Sequence, residues 1–419
     1  FSTKLGADLA ENLDVTLSAR YADARLGVTE DDFSVFPSVP ASGQSRSESR
    51  QLVTRGEGRA RFLDGALEQK LGIGYVDYRD RVAAFDPVAG GLAPPTFTRS
   101  DRTRLDWLST AYLTPAHTLL VGLEREREAL RDSPISASNT NNAGFAELQS
   151  AFADRLFTSA TVRADGNERF GTVETWRIAP AFLVPETGTK LKGSVGTGFK
   201  APTLTQLYVD FPAFNFFANP NLKPERSFGW DAGFEQNAAA KKVAFGATWF
   251  HNDFDELITT NATGTSYENR PKATSYGVES FAAWRPVEPV SFRADYTFTL
   301  AQDATTGEEL LRRPRHKASL TGTWQTTEDT TLSATVLHIG DRIDGNRDFS
   351  IPRLKASGYT LLNLAGSVAL RDGVAAFGRI ENALDRRYED PTGLQRPGLG
   401  IYVGLKFAFG GEPTASASP

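Results

Sequence analysis

The chain has 419 residues, with 46 Lys and Arg against 51 Asp and Glu and a formal net charge of -5. That balance argues against a general nucleic-acid binder, which is usually basic. The absence of cysteine excludes a disulfide framework, a thiolate nucleophile and a Cys-based zinc site.

The opening residues, "FSTKLGADLAENLD", lack the basic start and apolar core of a signal peptide. With no methionine anywhere, the chain is expected to be a piece of a longer, processed protein. From there the sequence alternates between period-two segments and two kinds of connection. Short turns are predicted at "ENLD" (11–14), "DG" (64–65), "PETGT" (185–189) and "RDG" (371–373). Long polar loops are predicted at 30–46, 86–99, 200–224, 303–310 and 339–357.

The strands themselves show two faces. In "KVAFGATWF" Val243, Phe245, Ala247 and Trp249 oppose Lys242, Ala244, Gly246 and Thr248. In "SFRADYTFTL" Phe292, Ala294, Tyr296, Phe298 and Leu300 oppose Ser291, Arg293, Asp295, Thr297 and Thr299. "HKASLTGTW" sets Ala318, Leu320, Gly322 and Trp324 against Lys317, Ser319, Thr321 and Thr323. "GLGIYVGLKFAF" sets Ile401, Val403, Leu405, Phe407 and Phe409 against Tyr402 and Lys406. Period-two alternation marks strands with two different environments.

About nineteen such strands are predicted, many of about 9–11 residues or longer, which suits a bilayer crossing. No amphipathic helix is predicted, and no apolar window approaches the length of a membrane-spanning helix. A soluble sandwich also alternates, hiding its apolar phase in a core. So many strands without a crossover helix would then need several domains, and no linker divides the chain before 410. Trp249, Trp324, Tyr296 and Phe409 near strand ends fit an aromatic girdle. The fold class is therefore all-β, an antiparallel transmembrane β-barrel over 1–410, with a disordered tail over 411–419. The apolar phase faces lipid and the polar phase a lumen. An odd strand count cannot close such a barrel, so strands before Phe1 are expected.

Four segments carry candidate chemistry. "GTGFKA" fits a dinucleotide fingerprint, but Pro202 follows at once and no βαβ unit surrounds it. Gly196 and Gly198 are read instead as points of close approach to a neighbouring strand. Loop 200–224 holds Tyr208, Phe211, Phe214, Asn215, Phe216 and Phe217. Rings and amides suit a large, partly apolar ligand that itself carries amides; a loop packed on its own aromatics is the alternative. Glu30, Asp31 and Asp32, and separately Asp341, Asp344, Asn346 and Asp348, supply the close oxygens calcium prefers; solvated loop carboxylates are the plainer reading. Arg312, Arg313, Arg315, His316 and Lys317 form a basic run. Its expected partners are lipopolysaccharide phosphates or acidic residues of a plug, or water on a lumen face. The four histidines, His117, His251, His316 and His338, show no ligand spacing, and no catalytic motif is present. An enzyme is not expected.

"GTGFKAPTLTQLYVDF" (196–211) and "NPNLKPERSFGWDAGFEQ" (219–236) resemble the TonB-dependent outer-membrane receptors. "HNDFDELI", "NRPKATSYGVE", "LLRRPRHKASL" and "IENALDRRYE" continue the resemblance in order. Within that family the set is most similar to the cobalamin (vitamin B12) receptor group, with "FSTKLGADLAENLD" matching its fourth barrel strand. The resemblance implies a 22-stranded barrel whose first three strands, N-terminal plug and TonB-binding segment are absent from this sequence. It implies a monomeric transporter in the outer membrane of a Gram-negative bacterium, in contact with lipid and lipopolysaccharide. The implied cargo is cobalamin, with a ferric siderophore or haem as the alternative and a passive porin-like channel as a second. It also implies calcium at Asp31 or Asp32. The tail "GGEPTASASP" departs from the family, whose members usually end at the aromatic residue matching Phe409.

Overall fold

The computed structural model describes residues 1–29, 31–32, 39–132, 134–212, 215–261, 263–346 and 350–408, without the side chains of 31, 32, 39, 40 and 271. Nineteen strands belong to one sheet, the number expected from alternation. Phe409 and the expected tail 411–419 lie outside the described residues.

The chain divides into two compact units. The first comprises Phe1–Phe182, Gly193–Trp230 and Asp253–Ala273. In it Ser2–Ala10, Leu13–Val28, Ser45–Phe62, Leu67–Ala83, Thr96–Thr114, His117–Asp132, Ile135–Phe152, Leu156–Asn167 and Gly171–Val184 follow one another. Each pairs antiparallel with the next. The second unit comprises Leu183–Lys192, Asp231–Asn252 and Thr274–Pro419. Its ladder runs Val290–Asp303, His316–Gln325, Thr330–Ile339, Tyr359–Arg371, Val374–Glu381 and Gly400–Phe407, again antiparallel. Thr189–Lys200, Glu225–Ala238, Val243–Thr260 and Tyr267–Val287 complete the nineteen.

Turn chemistry explains the tight connections. Leu63 and Asp64 both take φ of 55°, and Gly65 follows at 89°. Positive φ at two successive residues matches the twist of the strands a short hairpin joins. Antiparallel alternation places the turns at 11–12, 63–66, 115–116 and 153–155 at one end of the first unit's ladder. The connections 29–44 and 84–95 lie at the other. In the second unit the turns 326–329 and 372–373 share an end, opposite the connections 304–315 and 340–358.

The loop bounds differ in detail from those expected: the connection placed at 303–310 runs on to 315, and another ends early because strand pairing extends past it. Thr96 already pairs with Val82, so the loop placed at 86–99 ends at 95 and contains the short pair Phe85–Asp86 with Gly91–Leu92. Loop 339–357 likewise contains Arg342–Asp344 paired with Leu354–Ala356. A helix that alternation did not reveal occupies Leu204–Tyr208.

The two faces separate as the residue pattern requires. Leu5, Leu17, Leu71, Ile73, Leu105 and Leu123 are all exposed on one face of the first unit. In the second unit Leu320, Trp324, Leu332, Ile401, Val403, Leu405 and Phe407 are exposed in the same manner. Tyr402 and Lys406 fall in the opposite phase, and Arg379 lies over the Tyr402 ring at 4.5 Å. Buried apolar residues form small clusters at loops rather than one core, such as Leu130, Leu204 and Val209. A soluble sheet would hide its large apolar face; here that face is displayed, as for strands in lipid.

Gly196 shows the close approach anticipated for it. A Cβ there would stand 2.5 Å from the Trp176 carbonyl oxygen, and one at Gly198 would stand 2.9 Å from Ser227 Oγ.

Candidate functional site

The loop 200–224 is built on a small folded core. Thr203 caps the helix Leu204–Tyr208: its Oγ1 accepts from Gln206 N at 3.2 Å, and Gln206 Oε1 accepts from Thr203 N at 2.9 Å. This reciprocal pair is a capping box, legible in the T-x-x-Q spacing. Leu204 and Leu207 are buried, with Tyr208, Ile135 and Ala137 packed around Leu204, Leu130 and Val209. Arg169 lies over the Tyr208 ring at 5.3 Å.

Beyond the helix the chain folds back on itself. Phe211 N donates to Phe216 O at 2.7 Å and Phe216 N returns a bond to Phe211 O at 3.2 Å. Asn215 takes a φ of 50° at this bend. The Phe216 ring meets Tyr267 edge to face, with centroids 4.7 Å apart. Phe217 N donates to Thr265 O and Asn219 Nδ2 to Tyr267 O, fastening the loop to the strand Tyr267–Val287. Asp210 Oδ1 accepts from Ala218 N at 2.9 Å.

The expected ligand residues therefore divide. Tyr208 and Phe216 are half-buried in the loop's own packing. Phe211, Asn215 and Phe217 are exposed. Phe214 lies outside the described residues. Tyr208 and Phe216 thus belong to the loop's own packing, and Phe211, Asn215 and Phe217 are left at its surface.

The polar face of the first unit carries a chain of ions. Arg55 donates to both Asp106 oxygens at 2.8 and 2.9 Å. Arg104 bonds Glu124, and Glu124 also accepts from Arg163 at 2.9 Å. Arg163 Nε reaches Asp165 at 2.8 Å, which accepts from Asn141 as well. Guanidinium and carboxylate groups alternate along this face, and among the residues named no nucleophile stands beside a base.

In the second unit the loops are tied by ion pairs, two of which have one buried partner, Asp344 or Arg342. Arg312 Nε donates to Asp344 Oδ1 at 2.8 Å. Asp344 also accepts from Gly345 N at 2.8 Å and Thr392 N at 2.9 Å. Burial acts most strongly on this carboxyl and alone would raise its pKa. The Arg312 bond and the two N–H donors outweigh it, holding Asp344 below the usual carboxylate range. The Arg315 hydrogen bonds hold Glu309 low. The Lys355 ammonium, then Gly358 N–H, do the same for Asp341. Buried Arg342 donates to Glu389 O at 2.9 Å and pairs with Asp390, which accepts from Tyr359 Oη at 2.7 Å.

In the basic run Arg312 bonds Asp344 and Arg315 bonds Glu309, with about half of each arginine side chain left exposed. Asp341 and Asp344 bond Lys355, Arg312 and backbone donors; Asp348 lies outside the described residues. Among those residues no group of three His, Asp or Glu is placed to hold a metal. Asp31 and Asp32 form a short strand with Val39 and Pro40, and their side chains lie outside the described residues.

Comparison with known proteins agrees with this architecture. The family profile described as "TonB dependent receptor-like, beta-barrel" matches residues 1–383. A ferric enterobactin receptor variant from Pseudomonas aeruginosa, solved with enterobactin, superposes with a TM-score of 0.81 at 18% identity, over 97% of this chain and 70% of that one. The siderophore receptor PirA from Acinetobacter baumannii gives 0.79 at 15%, over 97% and 70%. The copper transporter OprC gives 0.77 at 14%, over 97% and 71%.

Proposed function

The chain belongs to the TonB-dependent receptor-like β-barrel family, proteins of the Gram-negative outer membrane, and from that premise we propose that it is the barrel part of a receptor importing a large, scarce metal chelate. The observation that carries this reading is the displayed apolar face beside an ion-paired polar face, under long folded loops. The loops capture cargo, an N-terminal plug outside this sequence closes the path, and TonB supplies the energy. No bond chemistry is required of the barrel residues.

For the cargo we favour a ferric siderophore over cobalamin. The aromatic and amide surface that suits a corrinoid shrinks once Tyr208 and Phe216 are committed to packing the loop. The solved relatives named above are described as siderophore or copper proteins. Cobalamin remains the second reading, favoured by Phe211, Asn215 and Phe217 at the loop surface. Calcium at Asp31 or Asp32 belongs with that second reading.

The test is calorimetry of the full-length receptor against a panel of ferric siderophores and against cyanocobalamin, with and without a calcium chelator. Binding of a siderophore with no cobalamin signal supports the favoured cargo. Calcium-dependent cobalamin binding alone replaces it with the second. Free ion conductance by the intact, plugged protein overturns the receptor reading in favour of a passive pore.

A further inference from the structure

The connection 382–399 of the second unit carries two arginines that the fold holds in place without using their charge. Asn382 is buried, takes a φ of 50° and clamps the backbone of Arg386. Its Nδ2 donates to Arg386 O and its Oδ1 accepts from Arg386 N, each at 2.9 Å, while Asn382 N donates to Asn363 Oδ1 at 2.9 Å. Just past Arg387, the Tyr388 ring lies on Tyr359 with centroids 4.2 Å apart. The segment is thus fixed at both ends by contacts that involve neither guanidinium group.

The three carboxylates of the same connection bond other donors. Asp385 Oδ1 accepts from Leu399 N at 2.9 Å, and Glu389 Oε2 from Gly393 N at 2.7 Å. Asp390 accepts from Tyr359 Oη at 2.7 Å and pairs with Arg342. Arg386 and Arg387 are exposed, and among the described residues neither side chain has an ion pair or a hydrogen bond. Two neighbouring cations on a rigid backbone repel each other and contribute nothing to the fold.

Both arginines line a cleft of about 530 Å³ between this connection and the short strand Leu354–Ala356, a size usual for small-ligand sites. Lys355, Tyr388, Thr392 and Gln395 share its walls. Thr392 Oγ1 is buried with no hydrogen-bond partner among the described residues. The walls thus offer two guanidinium forks, an ammonium shared with Asp341, and hydroxyl and amide groups, against the single carboxylate of Glu389. The cleft lies beyond the strand ends on the long-loop side, so an occupant reaches it from water.

We propose that this cleft binds a soluble anion carrying two or more carboxylates, one for each guanidinium fork. A loop already held in shape lowers the ordering cost of that capture. The inference deepens the receptor reading above and rests on it for the cargo, which is then a metal chelate of the carboxylate type.

The experiment is calorimetry on the full-length receptor in neutral detergent. The probes are iron-free citrate, ferric citrate, an uncharged ferric trihydroxamate and inorganic phosphate. Citrate, with or without iron, is expected to bind wild type, and R386Q/R387Q at least about tenfold more weakly, because charge-assisted hydrogen bonds are lost. R371Q, at the tight-turn end of the same unit, is expected to bind as wild type. No citrate binding in either form, equal binding by R386Q/R387Q, or phosphate binding as tightly as citrate would each overturn the proposal. Trihydroxamate binding without citrate binding also overturns it and leaves the receptor reading standing. Binding of iron-free citrate with neither ferric chelate bound supports the cleft and counts against a ferric cargo. If R386Q/R387Q does not insert, R386K/R387K decides: it keeps the charge without the fork, and binding equal to wild type overturns the proposal.

Discussion

Arg312 Nε lies 2.8 Å from Asp344 Oδ1, and the Asp344 side chain is wholly shielded from solvent. The pair joins two loops of the second unit that are far apart in sequence. It leaves Gly345 and Thr392 amides bonded to the same carboxylate.

Replacing Asp344 with Ala removes the acceptor for three donors at once. The expected cost is about 1–3 kcal/mol, the usual penalty for buried groups left unpaired. Hydrogen exchange at the Gly345 and Thr392 amides should accelerate, while strand amides stay protected. Unchanged exchange at both positions would show that the loops are held by other contacts.

Acid should loosen the same loops. The native carboxyls of Asp344, Glu309 and Asp341 are held below their ordinary range, whereas unfolded Asp and Glu titrate near about 4. Their stabilisation is therefore complete above that value and is lost as pH falls through the native pKa values. Loop exchange measured from neutral pH downward should stay flat and then rise below about pH 4. In D344N the rise should be smaller; an identical rise would assign the effect to other groups.

Leu71 and Ile73 are each 58% exposed on the apolar face. Ile73→Arg should cost about 2–4 kcal/mol if the site lies near the bilayer midplane. Lys70→Gln, on the polar face, should cost under about 1 kcal/mol because its pair with Glu68 is partly solvated. Urea unfolding from lipid vesicles measures both. Equal sensitivity of the two faces would indicate that both are packed against protein.

The cargo loop should respond in two ways. Phe211→Ala and Phe217→Ala should weaken cargo binding severalfold by calorimetry and leave protease resistance unchanged. Phe216→Ala should instead raise protease sensitivity, since its edge-to-face contact with Tyr267 is worth about 0.5–1.5 kcal/mol beyond the area it buries. Weaker binding on Phe216→Ala with no change in protease sensitivity would place that ring in the ligand site.

Gly196 packs against the strand Gly171–Val184 at a distance that leaves no room for a side chain. Gly196→Val should force the backbone apart at Trp176 and lower the thermal midpoint, at a cost of about 1–3 kcal/mol. A variant as stable as wild type would show that the two strands separate there without penalty.

Alternation determined the strand count and which of Ile401, Val403, Leu405 and Phe407 share one exposed face, because a strand's side-chain period is two; the antiparallel class also needed the absence of crossover helices. Connection lengths and Asp-Gly turns placed the tight ends. The resemblance carried by "GTGFKAPTLTQLYVDF" placed the family. Cross-strand register was not legible, since a strand's own sequence does not say which residue stands opposite. Arg50, Arg79, Arg99 and Arg131, on four successive strands of the first ladder, stand opposite one another through register alone. The fates of Tyr208 and Phe216, against those of Phe211 and Phe217, were likewise decided by tertiary packing. A ring in a polar loop fits its own small core or a ligand equally well by composition, and the neighbours that choose between them, Arg169 and Tyr267, are supplied by distant parts of the chain. The same holds for Asp344: acidic spacing suits a metal, and the Arg312 guanidinium that turns it into an ion pair arrives only when the loops meet.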